Sequence, residues 1–484
     1  MSLDFEGGAT MNMIDMSVII LYLAIIAFVG LLGARKAKTS EDYIVAGRDL
    51  NFPMYFGCMA ALTLGGAATI GTAKLGYQSG LSGMWFVTSQ GIGLVLLSLF
   101  LAKKIFNLRV LTISEMLENR FSVEARLISS LVSITYTAML TVTQIIGIGS
   151  VLKVWLGWNF TLSIIVAGGI VLFYTVLGGM WSVTMTDIVQ FIVMSIGIFA
   201  VMLPMSLSKA GGWAGLHEKL PSTYFDLSVM GGADIFKSLL LYALGIVVGQ
   251  DVWQRVFTAR SLKTSRYGLI AAGGYSLLYA ITVAIIGMCA FAVLPAITEP
   301  QNAFASMAVT TLPPGVLGIV LAGVLSALMS TASGTLIASS TLIVNDIIKR
   351  FSKRDMNEKR FLIISRLTTL SVGVFAMVCA LWIQDILVAL DIAFAVLSGA
   401  LFFPIIFGFF WKRVAARAVF YSILISSVVI LISLMLKGTT SIVPILYGLA
   451  TSCVTIVVFS YVLRDPVKPT VHDEDEHVQK IHTL

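Results

Sequence analysis

The chain has 484 residues, of which 58% are hydrophobic and 12% charged, with a formal net charge of +7. A soluble domain of this length carries roughly twice that share of charge, so the composition excludes a water-soluble globular protein and points to an all-α, polytopic membrane protein. Long unbroken apolar runs exclude a transmembrane barrel, and the basic residues sit in short loops between spans rather than in a patch suited to nucleic acid.

The N-terminal stretch MSLDFEGGATMNMID is acidic and has no basic leader, so it does not read as a cleaved signal peptide. Apolar runs able to cross a bilayer follow near 16–34, 53–79, 82–103, 126–155, 159–179, 185–208, 234–258, 265–296, 314–347, 361–384, 386–411, 415–436 and 442–463, about thirteen spans. Basic clusters at 35–48, 103–126, 255–266, 349–366 and 412–417 fall on one side of the membrane with that count. The positive-inside rule then places the N-terminus outside and the C-terminal tail inside. The tail, with an acidic run at 473–476, reads as solvated and without fixed structure. Cys58, Cys289, Cys379 and Cys453 are scattered through apolar runs and read as free thiols, not as disulfides or a metal site.

Two spans look interrupted. The second, FGCMAALTLGGAATIGTAKLGYQSG, has Gly65 and Gly66 at its centre, and paired glycine eases unwinding. The seventh, LGIVVGQDVWQR, carries Gly245, Gly249 and Gln250. These spans open two blocks, 53–208 and 234–411. Interrupted helices at corresponding places in two halves point to a transporter's binding site; close glycine packing between helices is the rival explanation.

The ninth span contains LSALMSTASGTLIASSTLIVND at 325–346, crowded with hydroxyls. Ser326, Ser330 and Ser333 share one face, with Thr331 beside them. A lone serine in a membrane helix bonds back to the carbonyl one turn earlier. The adjacent pair Ser330-Thr331 suggests more, because sodium is a hard cation that takes hydroxyl and carbonyl oxygens. One helix supplies two hydroxyls and a carbonyl; a second must supply the rest.

Other polar residues stand where lipid would be hostile. Asp187 is expected to cap its helix or line an ion path. Asp251 and Arg255, four apart, are expected to pair. Lys74 either snorkels to the surface or attracts an anion. Asp391 has the same ambiguity as Asp187, and Trp181 reads as an interfacial anchor.

In order along the chain, EDYIVAGRDL at 41–50, VLGGM with TDIVQ at 176–190, GQDVWQRVFTA at 249–259, ALMSTAS at 327–333 and FFPIIFGFFW at 402–411 resemble the sodium:solute symporter family. The resemblance implies a five-plus-five inverted repeat with broken first helices and one extra N-terminal helix. The expected divisions are the extra helix and inner loop at 1–50, the repeats at 51–208 and 233–411, and an extracellular loop at 209–232. Two further helices would occupy 412–464 and a cytoplasmic tail 465–484. It also implies a sodium site made by the carbonyls of Ala61, Leu64 and Ala327 and the hydroxyls of Ser330 and Thr331. Some members hold a second sodium, and Asp187, Ser330 and Ser333 match that pattern, but Gly334 replaces the last expected hydroxyl. Asp187 and Ser333 would otherwise serve ion exit.

Ala68, Val87, Ala243 and Val247 stand where sugar- or proline-binding members place polar or aromatic contacts, so neither substrate carries over. The solute contacts expected here are Gly65, Gly66, Gln144, Gln250 and Lys74, and Lys74 in the pocket would favour an amino acid or organic carboxylate. The expected function is sodium-coupled import of a small organic solute across the plasma membrane by alternating access. Proton coupling through Asp187 or Asp391 and a transporter-like sensor are the alternatives. The chain ends about twenty residues after its last span, which argues against a fused kinase. An enzyme is not expected: no HExxH or G-x-S-x-G motif occurs, and His217 is the one histidine outside the tail.

Overall fold

The computed structural model describes residues 12–463 apart from 109, 157, 353–356 and 384; the acidic run of the tail lies outside the described residues. Among the described residues the fold is all-helical. An isolated pairing of Leu50 with Ala259 clips the loop before the second span to the end of the seventh. Ten helices are long and apolar enough to cross a membrane, or eleven if the bent pair Gly232–Val248 and Gln250–Thr258 is one span. This differs from the expected thirteen or so because expected spans run together in Ala67–Asn107 and Phe160–Ala210, of 41 and 51 residues. A span needs about 20 residues. Each long stretch is interrupted by a glycine at positive φ, Gly80 at 62° and Gly179 at 55°. At Gly179 a side chain would also collide with Tyr43, so backbone angle and packing both require glycine there.

The helices that build the site are α1 (Met13–Ala34), α2 (Phe52–Thr63), α3 (Thr72–Ser79), α4 (Val123–Leu156) and α5 (Phe160–Ser195). They are followed by α6 (Gly232–Val248), α7 (Gln250–Thr258), α8 (Leu262–Val293) and α9 (Val316–Thr341). Then come α10 (Glu358–Trp382), α11 (Ile386–Phe410), α12 (Ala416–Lys437) and α13 (Val443–Val462).

The axis of the molecule is α9. Every residue from Val320 to Thr341 is buried, against α1, α2, α4, α5 and α10. Its start is held from another helix: Asp15 of α1 accepts from the N–H groups of Gly315 and Gly318, each at 2.7 Å, supplying the anion that the positive end of a helix favours. The outer helices instead expose large apolar side chains, such as Ile20 and Phe28 on α1, Phe375 on α10, Val428 on α12 and Val454 on α13. That is the surface a hydrocarbon solvent requires. The segment expected as an extracellular loop carries short helices, Gly212–Lys219 and Ser222–Phe225, and is fastened to the second and third spans. Trp85 Nε1 donates to the Leu227 carbonyl at 2.8 Å and Tyr224 to that of Tyr77 at 2.9 Å.

Where α3 crosses α8 the backbones touch. A Cβ at Gly287 would overlap the carbonyl of Ala73, and one at Gly76 that of Ala284; small residues at such crossings are what membrane helices use to pack. Gly274, on the same helix, has nothing within 4 Å of its Cβ position. Gly287→Ala is therefore expected to destabilise by about 1–3 kcal/mol, and Gly274→Ala to be neutral or mildly stabilising. Thermal unfolding of the two variants in detergent checks the contrast.

Candidate functional site

Helix α2 ends in mid-membrane. Leu64 leaves helical geometry at φ −101°, ψ 33°, and the chain rewinds from Gly66 through wide turns at Ala67–Gly71 before α3. Unwinding frees backbone groups that hydrocarbon cannot satisfy, and side chains from two other helices meet them. Thr331 of α9 donates its hydroxyl to the Leu62 carbonyl at 2.8 Å, and Gln144 Oε1 of α4 accepts from the Gly66 N–H at 3.0 Å. The contact is close enough to demand glycine: a Cβ at Gly65 would overlap Thr331, and one at Gly66 would overlap Leu328. The second interruption lies at Gly249, φ −74°, ψ 126°, where α6 and α7 meet at 42°.

The hydroxyls of α9 differ in their partners. Ser333 bonds its own helix at Ser330 O, 3.0 Å, and Ser326 bonds both Ala322 O at 2.6 Å and the Tyr22 hydroxyl of α1 at 2.8 Å. Ser330 and Thr331 reach α5 and α2. Thr331 bridges to α2, and Ser330 donates to Asp187 Oδ1 of α5 at 2.5 Å. Ala61 lies within α2 and Leu64 is its C-cap, on either side of Leu62 in the chain, and both are buried.

Asp187 lies inside α5, not at its start, and is fully buried. Its partner is Arg255 of α7, with Nη2 3.0 Å from Oδ2. The expected Asp251–Arg255 pair is thus replaced by one between residues 68 apart in sequence. Cys58 completes the cluster: its thiol donates to Asp187 Oδ2 at 3.1 Å and accepts from Arg255 Nε at 3.2 Å. Gly334 makes room, since a Cβ there would stand 2.7 Å from Arg255 Nη2. A guanidinium therefore fills the place where the second-ion pattern calls for a hydroxyl.

Beside the break is a cavity lined by Gly65, Gln90, Tyr136, Gln144, Asp251 and Thr331, among others. Gln144 and Gly65, two of the expected solute contacts, line this one cavity, and Gly66 follows Gly65 in the chain. Gln250 does not: its Oε1 accepts from Ile113 N at 2.8 Å and its Nε2 donates to Leu111 O at 3.1 Å. Lys74 is placed elsewhere too, paired with Asp385 at 2.9 Å. Asp391 pairs with Lys237 at 2.7 Å and accepts from Tyr242. Lys36 lies 4.5 Å from the Trp181 ring. Tyr136, Gln90 and Cys58 were missed because single polar groups in apolar runs carry no local signal.

The family model described as sodium:solute symporter family matches residues 43–426. The chain belongs to the sodium:solute symporter family. This symporter is 24% identical to the high-affinity proline transporter PutP of Bacillus subtilis, across 90% of its own length and 96% of the relative's. It is 26% identical to a sodium/proline symporter of Staphylococcus aureus, over 81% and 80% of the two chains. It is 24% identical to sodium/glucose cotransporter 4 of Danio rerio, over 89% and 74%. Its fold matches a Na+-coupled sialic acid symporter in a substrate-bound outward-open state with a TM-score of 0.79, at 22% identity, over 95% and 100% of the chains. The symporter is a multi-pass transporter rather than an enzyme, and sodium is its coupling ion.

In this symporter Asp187 and Arg255 neutralise each other in a setting where either alone would be an uncompensated buried charge. Arg255→Met is expected to destabilise by about 3–5 kcal/mol. Adding Asp187→Asn to it should recover part of the loss, because the stranded carboxylate is then gone. Melting temperatures of the single and double variants measure that coupling.

Proposed function

We propose that the symporter imports a small organic solute by alternating access, driven by one sodium ion held where the break after α2 faces α9. The ion's ligands are the carbonyls of Ala61, Leu64 and Ala327 and the hydroxyls of Ser330 and Thr331. The supporting observation is the Thr331 hydroxyl at the Leu62 carbonyl: an unwound carbonyl segment lies against a hydroxyl pair, the hard neutral donor set that sodium takes. Bound sodium ties the broken span to α9 and orders the adjoining cavity for solute; release toward the low-sodium side loosens both. One charge moved inward through 100 mV releases about 2.3 kcal/mol, enough for roughly fifty-fold accumulation.

A single ion is proposed because Arg255 supplies the positive charge beside Asp187 and Ser333 is turned onto its own helix. The repeats are taken as 51–208 and 233–411, the membrane as the plasma membrane, with the N-terminus outside and the C-terminus in the cytoplasm. An organic carboxylate was favoured only if Lys74 reached the pocket, and its pairing with Asp385 removes that argument; an amino acid remains within the class.

Sodium chloride, compared with potassium chloride at equal ionic strength and pH, is expected to raise the melting temperature of the purified protein. Ser330→Ala and Thr331→Ala should each raise the half-saturating sodium concentration about tenfold or more, since a hydrogen-bonding group lost from a charged partner is worth about 1.5–3 kcal/mol. Thr331→Ser should be mild. Unchanged sodium dependence in both alanine variants would contradict the site.

A further inference from the structure

We propose that Asp251 anchors a positively charged amine on the transported solute, so that this symporter selects small organic ammonium compounds, amino acids among them, over sugars and simple carboxylates. This rests on the cavity being the solute site of the function proposed above.

Four carboxylates are buried among the described residues: Asp15, Asp187, Asp251 and Asp346. Asp15 accepts two backbone N–H groups at the start of α9. Asp187 holds Arg255, and Asp346 holds Arg126 at 2.7 Å. Asp251 is 2% exposed, and its Oδ1 has no hydrogen-bond partner. The first-turn amides of α7 face its carboxyl, as they would any residue capping there, but they leave Oδ1 unanswered. A buried anionic oxygen without a partner is strongly unfavourable, unless a partner arrives.

Three cations on α3, α6 and α7 each hold another acid. Arg255, one turn further along α7, gives Nη2 to Asp187 and Nε to Cys58, and its Nη1 is left without a hydrogen-bond partner. Lys237 holds Asp391 and Lys74 holds Asp385. A solute ammonium group would supply the positive partner that Asp251 Oδ1 lacks.

The surroundings suit an ammonium group. Tyr136 lines the same cavity, and its buried hydroxyl stands next to the Asp251 carboxyl without a partner at hydrogen-bond distance. A Cβ at Gly249 would stand 2.9 Å from Asp251 Oδ1 and 3.5 Å from the Tyr136 hydroxyl, so the two polar atoms converge on one spot. Phe394, another lining residue, packs edge-on against Tyr136 with ring centroids 5.2 Å apart. A carboxylate flanked by aromatic rings is a general arrangement for binding organic cations. Gln90 adds an amide to the lining, able to meet a carboxylate or hydroxyl elsewhere on the same molecule.

The experiment is a thermal-shift comparison of purified wild-type and Asp251→Asn protein, in sodium and in potassium, with millimolar matched pairs as probes. These are alanine against propionate, proline against cyclopentanecarboxylate, and glycine betaine and putrescine against glucose and lactate. Amine-bearing probes are expected to stabilise the wild type in sodium, with apparent affinity falling about a hundredfold in Asp251→Asn. Without solute, Asp251→Asn should melt at or above the wild-type temperature, the reverse of what loss of a structural carboxylate does. Tyr136→Phe, which keeps the ring and the charge, should weaken the same probes by a smaller factor and serves if Asp251→Asn fails to fold. Stabilisation by amine-free probes alone, by none of the amine probes, or by amines equally in wild type and Asp251→Asn would overturn the assignment. So would loss of the sodium response itself in Asp251→Asn, which would make Asp251 an ion ligand. Failure of sodium to stabilise the wild type is a separate result, and it would sink the coupling site rather than the amine anchor.

Discussion

A backbone amide or carbonyl without a partner costs several kcal/mol in hydrocarbon, and this constraint organises the molecule. The chain unwinds in mid-membrane after Thr63 and can do so only because Thr331 and Gln144 meet the exposed groups. The break, the hydroxyl helix and α4 are therefore one unit. Glycine at 65 and 66 lets the unit close, since any side chain would push α9 away. An ion held by the proposed carbonyls of Ala61 and Leu64 would share the Thr331 hydroxyl oxygen that now serves the Leu62 carbonyl, which would link a cation to a conformational change at this place.

Charge is handled with comparable economy. Arg255 and Asp187 form a pair whose desolvation offsets much of its attraction, yet it joins α7, which follows the second break, to α5 and through Ser330 to α9. Both interrupted segments thus converge on the two neighbouring hydroxyls of α9, Thr331 for the first and Ser330, by way of Asp187, for the second.

Much of this was legible in the sequence. The glycine pair, Gly249 and the hydroxyl stripe are local patterns, and local patterns report helix continuity and face. Partner choice is not local. Asp251 and Arg255 stand at the spacing that pairs on an exposed helix, but α7 is buried. There a guanidinium is placed by the space Gly334 leaves and by Cys58 and Asp187, which lie far off in sequence. Gln250 misled for the same reason: its amide is taken up by Ile113 and Leu111, whose segment shows no sign of approaching it. For Lys74 the sequence leaves the surface and an anion open, and its pairing depends on Asp385, which is more than three hundred residues away.

The two ends of the bundle differ in how they are fastened. Helix α10 has 25 residues, about 37 Å at 1.5 Å per residue, and separates them. At one end Asp346, just beyond α9, accepts from Arg126, Ser130 and Thr112, and Arg126 also meets Glu118. That network is buried and multiply bonded. At the other end α11 holds the first interrupted span through a lone ion pair, Lys74 on Asp385, and the second through Lys237 and Tyr242 on Asp391. Asp385 is the more exposed of these acids, at 41%, and a partly solvated pair is worth little. A hinge working between the two ends would part more easily at the lysine end than at the Asp346 network, because fewer bonds must be broken and water is at hand to replace them. The cavity with Asp251 is lined by residues next to both breaks, so a solute that completes its charge would act on the same helices as the ion.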